Sequence, residues 1–493
     1  MSHNPNNKPK AIVIGAGVAG LASAIRLAVK GFEVTVFEKN AYPGGKLSWF
    51  KQDGFSFDAG PSLFTQPSHI EALFELAEEP ISKYFQYCQV PIACKYFFEN
   101  GKQVEAATNI EQFAANMETA LGEPGHKVKN YLKQSAKAYN NIGDLFITHS
   151  LHKYATLFSR QVLKAIGATR YSYLFRSLHQ HNQASFNTPE AVQLFNRYAT
   201  YNGSNPYKAP AMLSVIPHLE MNEGVFYPIG GMISITNALY RLAEKKSVQF
   251  RFNTAVDRII HHEGHAGGVV VAGKNYYADV VVSNCDVYFT YKYLLNDEGE
   301  AKKILKQERS SSAIVFYWGI SQSFEQLGLH NILFTKDYKT EFDHLFNKHS
   351  LHSDPTVYIN ITSKMEEEQA PAGSENWFVM INTPANSGQD WQAFRTEARA
   401  LVIDKINRML QTDIEPLIVT EALLDPVTIE SRTASYMGSL YGTSSNSKMA
   451  AFLRHPNFTS TIKGLYFVGG SVHPGGGIPL CLNSAKIMSD MIH

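Results

Sequence analysis

Three stretches of this chain carry residue types at spacings that can do chemistry. The first is Gly15, Gly17 and Gly20 in the order G-x-G-x-x-G, with an acid, Glu38, and a base, Lys39, about 20 residues further on. The first glycine permits a tight turn. The second removes a Cβ so that backbone can approach a pyrophosphate, and the third lets a helix pack closely on a strand. A helix starting there offers free N–H groups and about half a positive charge to that pyrophosphate. A carboxylate at Glu38 can accept from ribose hydroxyls. The second stretch holds Gly44, Gly45 and Lys46, then Gly60, Pro61 and Ser62. The third is "GGSVHPGGGIPLCLNSAK", Gly469 to Lys486, a glycine-dense segment close to the end of the chain. Glycine loses more backbone entropy on folding than any other residue, so such a segment needs a reason.

The elements that position these groups are legible around them. Ala11 to Ile14 reads as a short buried strand, and Leu21, Ala24, Ile25 and Ala28 recur at helical spacing. Gly31 stops that helix, and Glu33 to Phe37 reads as a second strand ending on Glu38. Strand, glycines, helix, strand and acid in this order predict a dinucleotide-binding βαβ unit. The continuation decides which dinucleotide. A nicotinamide dehydrogenase has no use for a second glycine pair at Gly44 and Gly45. A flavoprotein of the glutathione-reductase-like class does, because its extended FAD passes a second glycine turn, and Lys46 suits that place as a point charge. Leu480 to Ile492 reads as a helix with Pro479 preset at its first turn.

Composition bounds the alternatives. The 493 residues are 44% hydrophobic and 18% charged, a globular balance, and the length suggests about three domain-sized units. A formal charge of +1 excludes a nucleic-acid binder driven by phosphate contacts. No apolar run approaches the roughly 20 residues of a spanning helix. The polar start "MSHNPNNKPK" has no apolar core of a signal peptide, so residence in the cytoplasm is the expectation. Cys88, Cys94, Cys285 and Cys481 form no metal-ligand spacing, and "HHEGH" (261–265) between two β-like runs predicts a hairpin tip; no metal is expected.

Three blocks resemble the bacterial-type phytoene desaturases and their relatives, the FAD-dependent carotenoid desaturases. They are Gly15 to Ser62; "GVFYPIGGMISITNAL" (224–239) with "TAVDRI" and "ADVVVSNCD"; and "GLYFVGGSVHPGGGIPLCLNSAK" (464–486). The resemblance spans the chain. It implies that Val256 touches the adenine through its backbone and that Gly470 and Ser471 lie along the phosphate and ribityl chain. It further implies that Gly477, Ile478 and Pro479 face the pyrimidine edge of the flavin. No acidic residue stands near Ser471, where many flavoproteins place one. In relatives the segment "IPHLEMNEG" lies near the flavin, which makes His218 and Glu220 weak candidates for a proton acceptor; the catalytic acid or base is otherwise unknown.

The fold expected is α/β (α+β overall). A Rossmann-like FAD-binding domain comes from residues 1–75, 224–290 and 455–493, and a substrate-binding domain from 76–223 and 291–454. "SAIVFYWGI", "PTVYINIT" and "NWFVMINT" read as strands of a mixed sheet roofing the flavin, and "DWQAFRTEARALVIDKINRML" as a long amphipathic helix. The other insertion is expected to be helical. Residues 145–189 contain no acid, and Lys153, Arg160, Lys164, Arg170 and Arg176 are interleaved with aromatic and aliphatic residues. That pattern suits a membrane interface. A helical membrane-facing part over about 110–205, with monotopic, peripheral attachment to a membrane lipid surface, is therefore expected.

The activity implied is desaturation of a carotenoid substrate by hydride transfer to FAD, with quinone or oxygen as electron acceptor. The S-V-H-P-G-G-G-I-P-L form is similar to the 1-hydroxycarotenoid 3,4-desaturases and also resembles the diapophytoene desaturases; phytoene desaturation is the next alternative. A reading from another class is a non-catalytic prenyl-binding escort protein, which would have no reason to keep flavin-facing glycines. An amine or other small-molecule oxidase is a third, since amine oxidases share the first block.

Overall fold

The computed structural model describes residues 8–143, 152, 175–447 and 454–492. Its centre is a five-stranded parallel sheet, in the order Leu465–Phe467, Val280–Ser283, Lys10–Ile14, Glu33–Phe37, Gln249–Arg251. Side chains alternate across its central strand. Ala11 and Val13 face the helices Val18–Val29, Ile233–Lys245 and Ile478–Ser489. Ile12 and Ile14 face the other way, onto the three-stranded antiparallel sheet Arg258–His262, His265–Val271 and Lys274–Tyr277. A strand buried on both faces has to be apolar throughout, which is why "AIVI" is. The turn between His262 and His265 is a hairpin tip with Glu263 exposed, and no metal-holding group exists among the described residues.

The second large element is a mixed seven-stranded sheet, in the order Ile418–Leu424, Ser312–Ile320, Glu375–Thr383, Val357–Ile361, His330–Leu333, Ile92–Phe97, Gln103–Ala107. Its middle strands are those read from the sequence. Period-two alternation divides them cleanly. Ile314, Phe316, Trp318 and Ile320 pack with Trp377, Val379 and Ile381 under the 20-residue helix Trp391–Leu410. That helix presents Ala398, Val402, Ile406 and Leu410, and its buried Lys405 is matched by Glu99 and Asp354. The alternate residues, Ala313, Val315, Tyr317, Phe378, Met380 and Asn382, line a cavity.

The segment after residue 76 departs from the helical expectation. Ile92–Phe97 and Gln103–Ala107 form a hairpin that extends the mixed sheet through a parallel pairing with His330–Leu333. "IACKYF" carries its aromatic and small residues on both faces, and tertiary burial on both sides overrode the helical surroundings. Helices Ile110–Leu121, Gly125–Ala138 and Pro189–Asn196 then bury Phe113, Met117, Leu132, Leu194 and Phe195 in one core with that hairpin. Their apolar faces point inward, so this part of 110–205 packs on the protein itself. Lys153, Arg160, Lys164 and Arg170 lie outside the described residues; Arg176 is exposed, next to a half-exposed Phe175. No helix among the described residues is long and apolar enough to cross a membrane.

Candidate functional site

One continuous cavity of about 1350 Å³ runs from the carboxyl ends of the parallel strands to the underside of the mixed sheet. An ordinary small-molecule pocket is roughly 300–1,000 Å³. This one has room for an extended dinucleotide and part of a long substrate.

The floor at one end is the G-x-G-x-x-G turn. Gly15 N–H donates to the Phe37 carbonyl (2.8 Å), and the helix Val18–Val29 starts at Gly17 with no side-chain cap. Its first N–H groups, apart from that of Gly20, which donates to Asn284 Oδ1 (3.0 Å), are thus open to an anion. Gly20 does not line the cavity. A Cβ there would sit 2.1 Å from the Gly15 carbonyl oxygen, so its role is the close approach of helix to turn. Glu38 is 5% exposed. One carboxylate oxygen accepts from Ala16 N–H (2.7 Å) and the other from Asn40 N–H (2.9 Å). Each oxygen keeps a second lone-pair site for a hydroxyl. Lys39 lies at the exposed rim and donates to the Ser431 carbonyl (2.6 Å). Val256 lines the same end.

The second glycine turn touches the first. Gly44 N–H donates to the Ala16 carbonyl (2.8 Å), and Gly45 packs against the Cα of Gly17. The half-buried Lys46 ammonium donates to the Leu440 carbonyl at 2.8 Å. Burial pulls this group down to about 8, against the pull of the nearby Asp286 carboxylate. Gly60 packs on the Lys46 carbonyl, Pro61 lines the wall, and Ser62 turns its hydroxyl to Tyr358 on the mixed sheet.

The C-terminal segment closes the opposite side. Its helix begins at Ile478, two residues before the expected start, because Gly477 serves as the N-cap. Gly477 adopts φ +109 and ψ 152, a conformation open to glycine alone, and a Cβ there would point into open space. Gly470, Ser471, Gly477, Ile478 and Pro479 all line the cavity, and the uncapped helix N-terminus faces it. An acid does stand near Ser471, from the segment that follows the strand Val280–Ser283. Ser471 Oγ accepts from Val287 N–H (3.0 Å), which sets Asp286 beside it, and Asp286 is held by Arg309 at 2.6 Å.

The two candidate proton acceptors separate. Glu220 lines the cavity but is 1% exposed, and its carboxylate accepts from Arg197 (2.5 Å), Tyr198 (3.0 Å) and Tyr201. Three donors thus already engage this carboxylate. His218 does not line the cavity. Its ring bonds Asn222 (2.7 Å) and packs on Tyr139, because the helix Ile216–Met221 turns it away from the face that carries Glu220.

Asn284, Asp286 and Arg309 were missed in the sequence. Asn284 and Asp286 follow directly on the strand Val280–Ser283, and ligands bind at the carboxyl ends of parallel strands. That rule could have found them once the strand's place next to Lys10–Ile14 was known. Arg309 had no such signal.

The family model "Flavin containing amine oxidoreductase" matches residues 18–493. A 1-hydroxycarotenoid 3,4-desaturase from Flavobacterium sp. is 51% identical over 98% of this chain and 99% of its own. A 4,4'-diapolycopene oxygenase from Methylomonas sp. is 33% identical over 99% of each chain. Among solved structures, an oxidoreductase from Methanosarcina mazei superposes with TM-score 0.65 at 16% identity, covering 98% of this chain and 100% of that one. At that identity the likeness concerns the fold.

Proposed function

The chain belongs to the flavin-containing amine oxidoreductase family, and from that premise we propose that it is a carotenoid desaturase acting on a 1-hydroxycarotenoid at the 3,4 bond. It is an FAD-dependent oxidoreductase, which sets aside the non-catalytic escort reading. The observation that carries the proposal is the single cavity joining a dinucleotide-shaped floor to an apolar roof. Leu424, Val315, Met380, Tyr358 and Ile332 are register partners in one row across five strands, all on the cavity side. Four inter-strand steps span about 19 Å, a length suited to a polyene chain.

The residues present fit FAD: two touching glycine turns, an uncapped helix N-terminus beside the first, Glu38 at the ribose end, and empty space at Gly477 for a flat ring. When bound, FAD supplies the hydride acceptor for the saturated C–C bond. The chain's own part is binding and electrostatics. Gly15, Gly17 and Glu38 hold the adenosine and pyrophosphate end, with Lys39 and Val256 at the rim. Gly44, Gly45, Lys46, Gly60 and Pro61 hold the middle, with Gly470 and Ser471 opposite. The helix at Gly477, Ile478 and Pro479 directs its positive end to the site and stabilises negative charge there. The roof excludes water and binds the polyene at about 0.8 kcal/mol per buried CH₂-sized group. Glu220 holds Arg197 in place and is not assigned the proton. Residues 1–75, 224–290 and 455–493 form the cofactor unit, of the glutathione-reductase-like class, and the remainder the substrate unit.

Membrane attachment through the basic, aromatic stretch about 145–180 fits a bilayer-dissolved substrate. Liposome flotation tests it: absence of wild-type protein from the lipid fraction overturns attachment, and equal recovery after glutamine replaces the five basic residues overturns the charge contribution. Turnover tests the activity. Purified FAD-loaded protein is given a 1-hydroxycarotenoid, phytoene and a diapocarotenoid, aerobically and anaerobically with a quinone. A new double bond in the hydroxylated substrate alone is expected. Product from phytoene alone overturns the substrate assignment, and the two atmospheres distinguish oxygen from quinone.

A further inference from the structure

The row Leu424–Val315–Met380–Tyr358–Ile332 contains one polar tip, the Tyr358 hydroxyl. It lies 2.8 Å from Ser62 Oγ and 2.7 Å from His330 Nδ1. His330 also meets the Asn360 side-chain nitrogen at 3.1 Å, and that nitrogen donates to the Leu329 carbonyl (2.9 Å). Burial, with Arg197 nearby, pulls His330 down to about 3, so the ring is neutral. The Tyr358 hydroxyl is thus bonded on both sides, to Nδ1 and to Ser62 Oγ. Whichever of the two hydroxyls donates to the other, Ser62 Oγ keeps at least one acceptor lone pair. Ser62 and Tyr358 are only half-buried, and both line the cavity.

We propose that Ser62, polarised through Tyr358 and His330, accepts a hydrogen bond from the hydroxyl of the substrate and so sets which carbon–carbon bond lies at the reacting position. The proposal rests on the desaturase reading above and adds to it the group that selects a hydroxylated end. A hydroxyl can donate to that lone pair, and a bare hydrocarbon end leaves it desolvated without a partner. The geometry of the substrate agrees. In a 1-hydroxycarotenoid the oxygen is within about 5 Å of the carbons of the 3,4 bond by bond lengths alone. An anchor for it must therefore adjoin the cofactor floor, and Ser62 directly follows Gly60 and Pro61, which line it. Ser62 is thereby a substrate contact, where the family resemblance had implied a cofactor contact.

The test compares kcat/KM for a 1-hydroxycarotenoid and for the same carotenoid lacking the hydroxyl, in FAD-loaded wild type, Ser62→Ala, Ser62→Thr and Tyr358→Phe. The wild type is expected to prefer the hydroxylated substrate about ten- to a hundredfold. Ser62→Thr, which keeps the hydroxyl, retains the preference. Ser62→Ala and Tyr358→Phe reduce it to below about threefold. Tyr358→Phe decides alone if Ser62→Ala does not fold. Equal turnover of the two substrates by the wild type overturns the inference and leaves the desaturase reading standing. An undiminished preference in both variants overturns it as well. If FAD-loaded wild type converts neither carotenoid, the desaturase reading fails and this inference with it.

Discussion

Asn284 Oδ1 accepts a hydrogen bond from the Gly20 N–H at 3.0 Å, while its Nδ2 donates to the Val468 carbonyl at 3.2 Å. One amide thus ties the first glycine turn to the C-terminal glycine segment, more than 180 residues away on one side and 260 on the other. Asn284→Ala removes both bonds and is expected to cost about 1–3 kcal/mol. Bound FAD per chain, from the flavin-to-protein absorbance ratio, should fall with it. A variant with wild-type Tm and flavin content would show that the two glycine segments are held together by other contacts.

Gly477 provides a second prediction. With φ +109 and ψ 152, a side chain is strained by about 1–3 kcal/mol, and the open space beside it is where a Cβ would project. Gly477→Val is expected to lose FAD or turnover while the parallel sheet stays folded, as read by far-UV circular dichroism. Full flavin content and turnover would mean that the ring lies elsewhere.

Lys46 makes stability depend on pH in a defined window. Its folded value of about 8 is below the ordinary 10.5, with burial as the main cause. Between those values the unfolded chain binds more protons than the folded one, so stability rises with pH across the window. The contribution is lost as pH falls through the folded value. In flavin-free protein, Lys46→Met should therefore be the more stable form at about pH 7, with its advantage over wild type shrinking by about pH 10. A constant difference in Tm at the two pH values would contradict the lowered value of Lys46.

The Glu220–Arg197 pair is buried on both sides, with the guanidinium also over the rings of Tyr198 and Tyr201. Removing one partner strands a charge, so Glu220→Leu is expected to destabilise by about 3–5 kcal/mol. Adding Arg197→Met should restore much of that loss, because the pair's worth is mostly the cost of separating it. Denaturant unfolding of the single and double variants measures this. Unchanged stability with abolished turnover in Glu220→Leu would return Glu220 to candidacy as the proton acceptor.

Legibility in the sequence followed the range of the interactions involved. The unit from Ala11 to Glu38 was readable because each of its parts, strand, turn, helix and acid, is a local choice of residue. The strands Ser312–Ile320 and Glu375–Thr383 were readable by β-branched and aromatic content, and Trp391–Leu410 by its helical spacing. The place of Ile92–Phe97 was not, because beyond its local hairpin with Gln103–Ala107 it joins the mixed sheet through a partner, His330–Leu333, more than 200 residues later.

The sequence by itself determined the dinucleotide unit, the second glycine turn and the glycine-dense C-terminal segment, since backbone conformation at glycine and proline is set residue by residue. Only the tertiary structure decided which polar groups meet. It brought Asp286 to Ser471, turned His218 away from the cavity, saturated Glu220 with donors, and aimed Ser62 at Tyr358. Those outcomes depend on side chains far apart in the chain satisfying one another once water is excluded, and a buried polar group finds its partner by position in space, not by distance along the sequence.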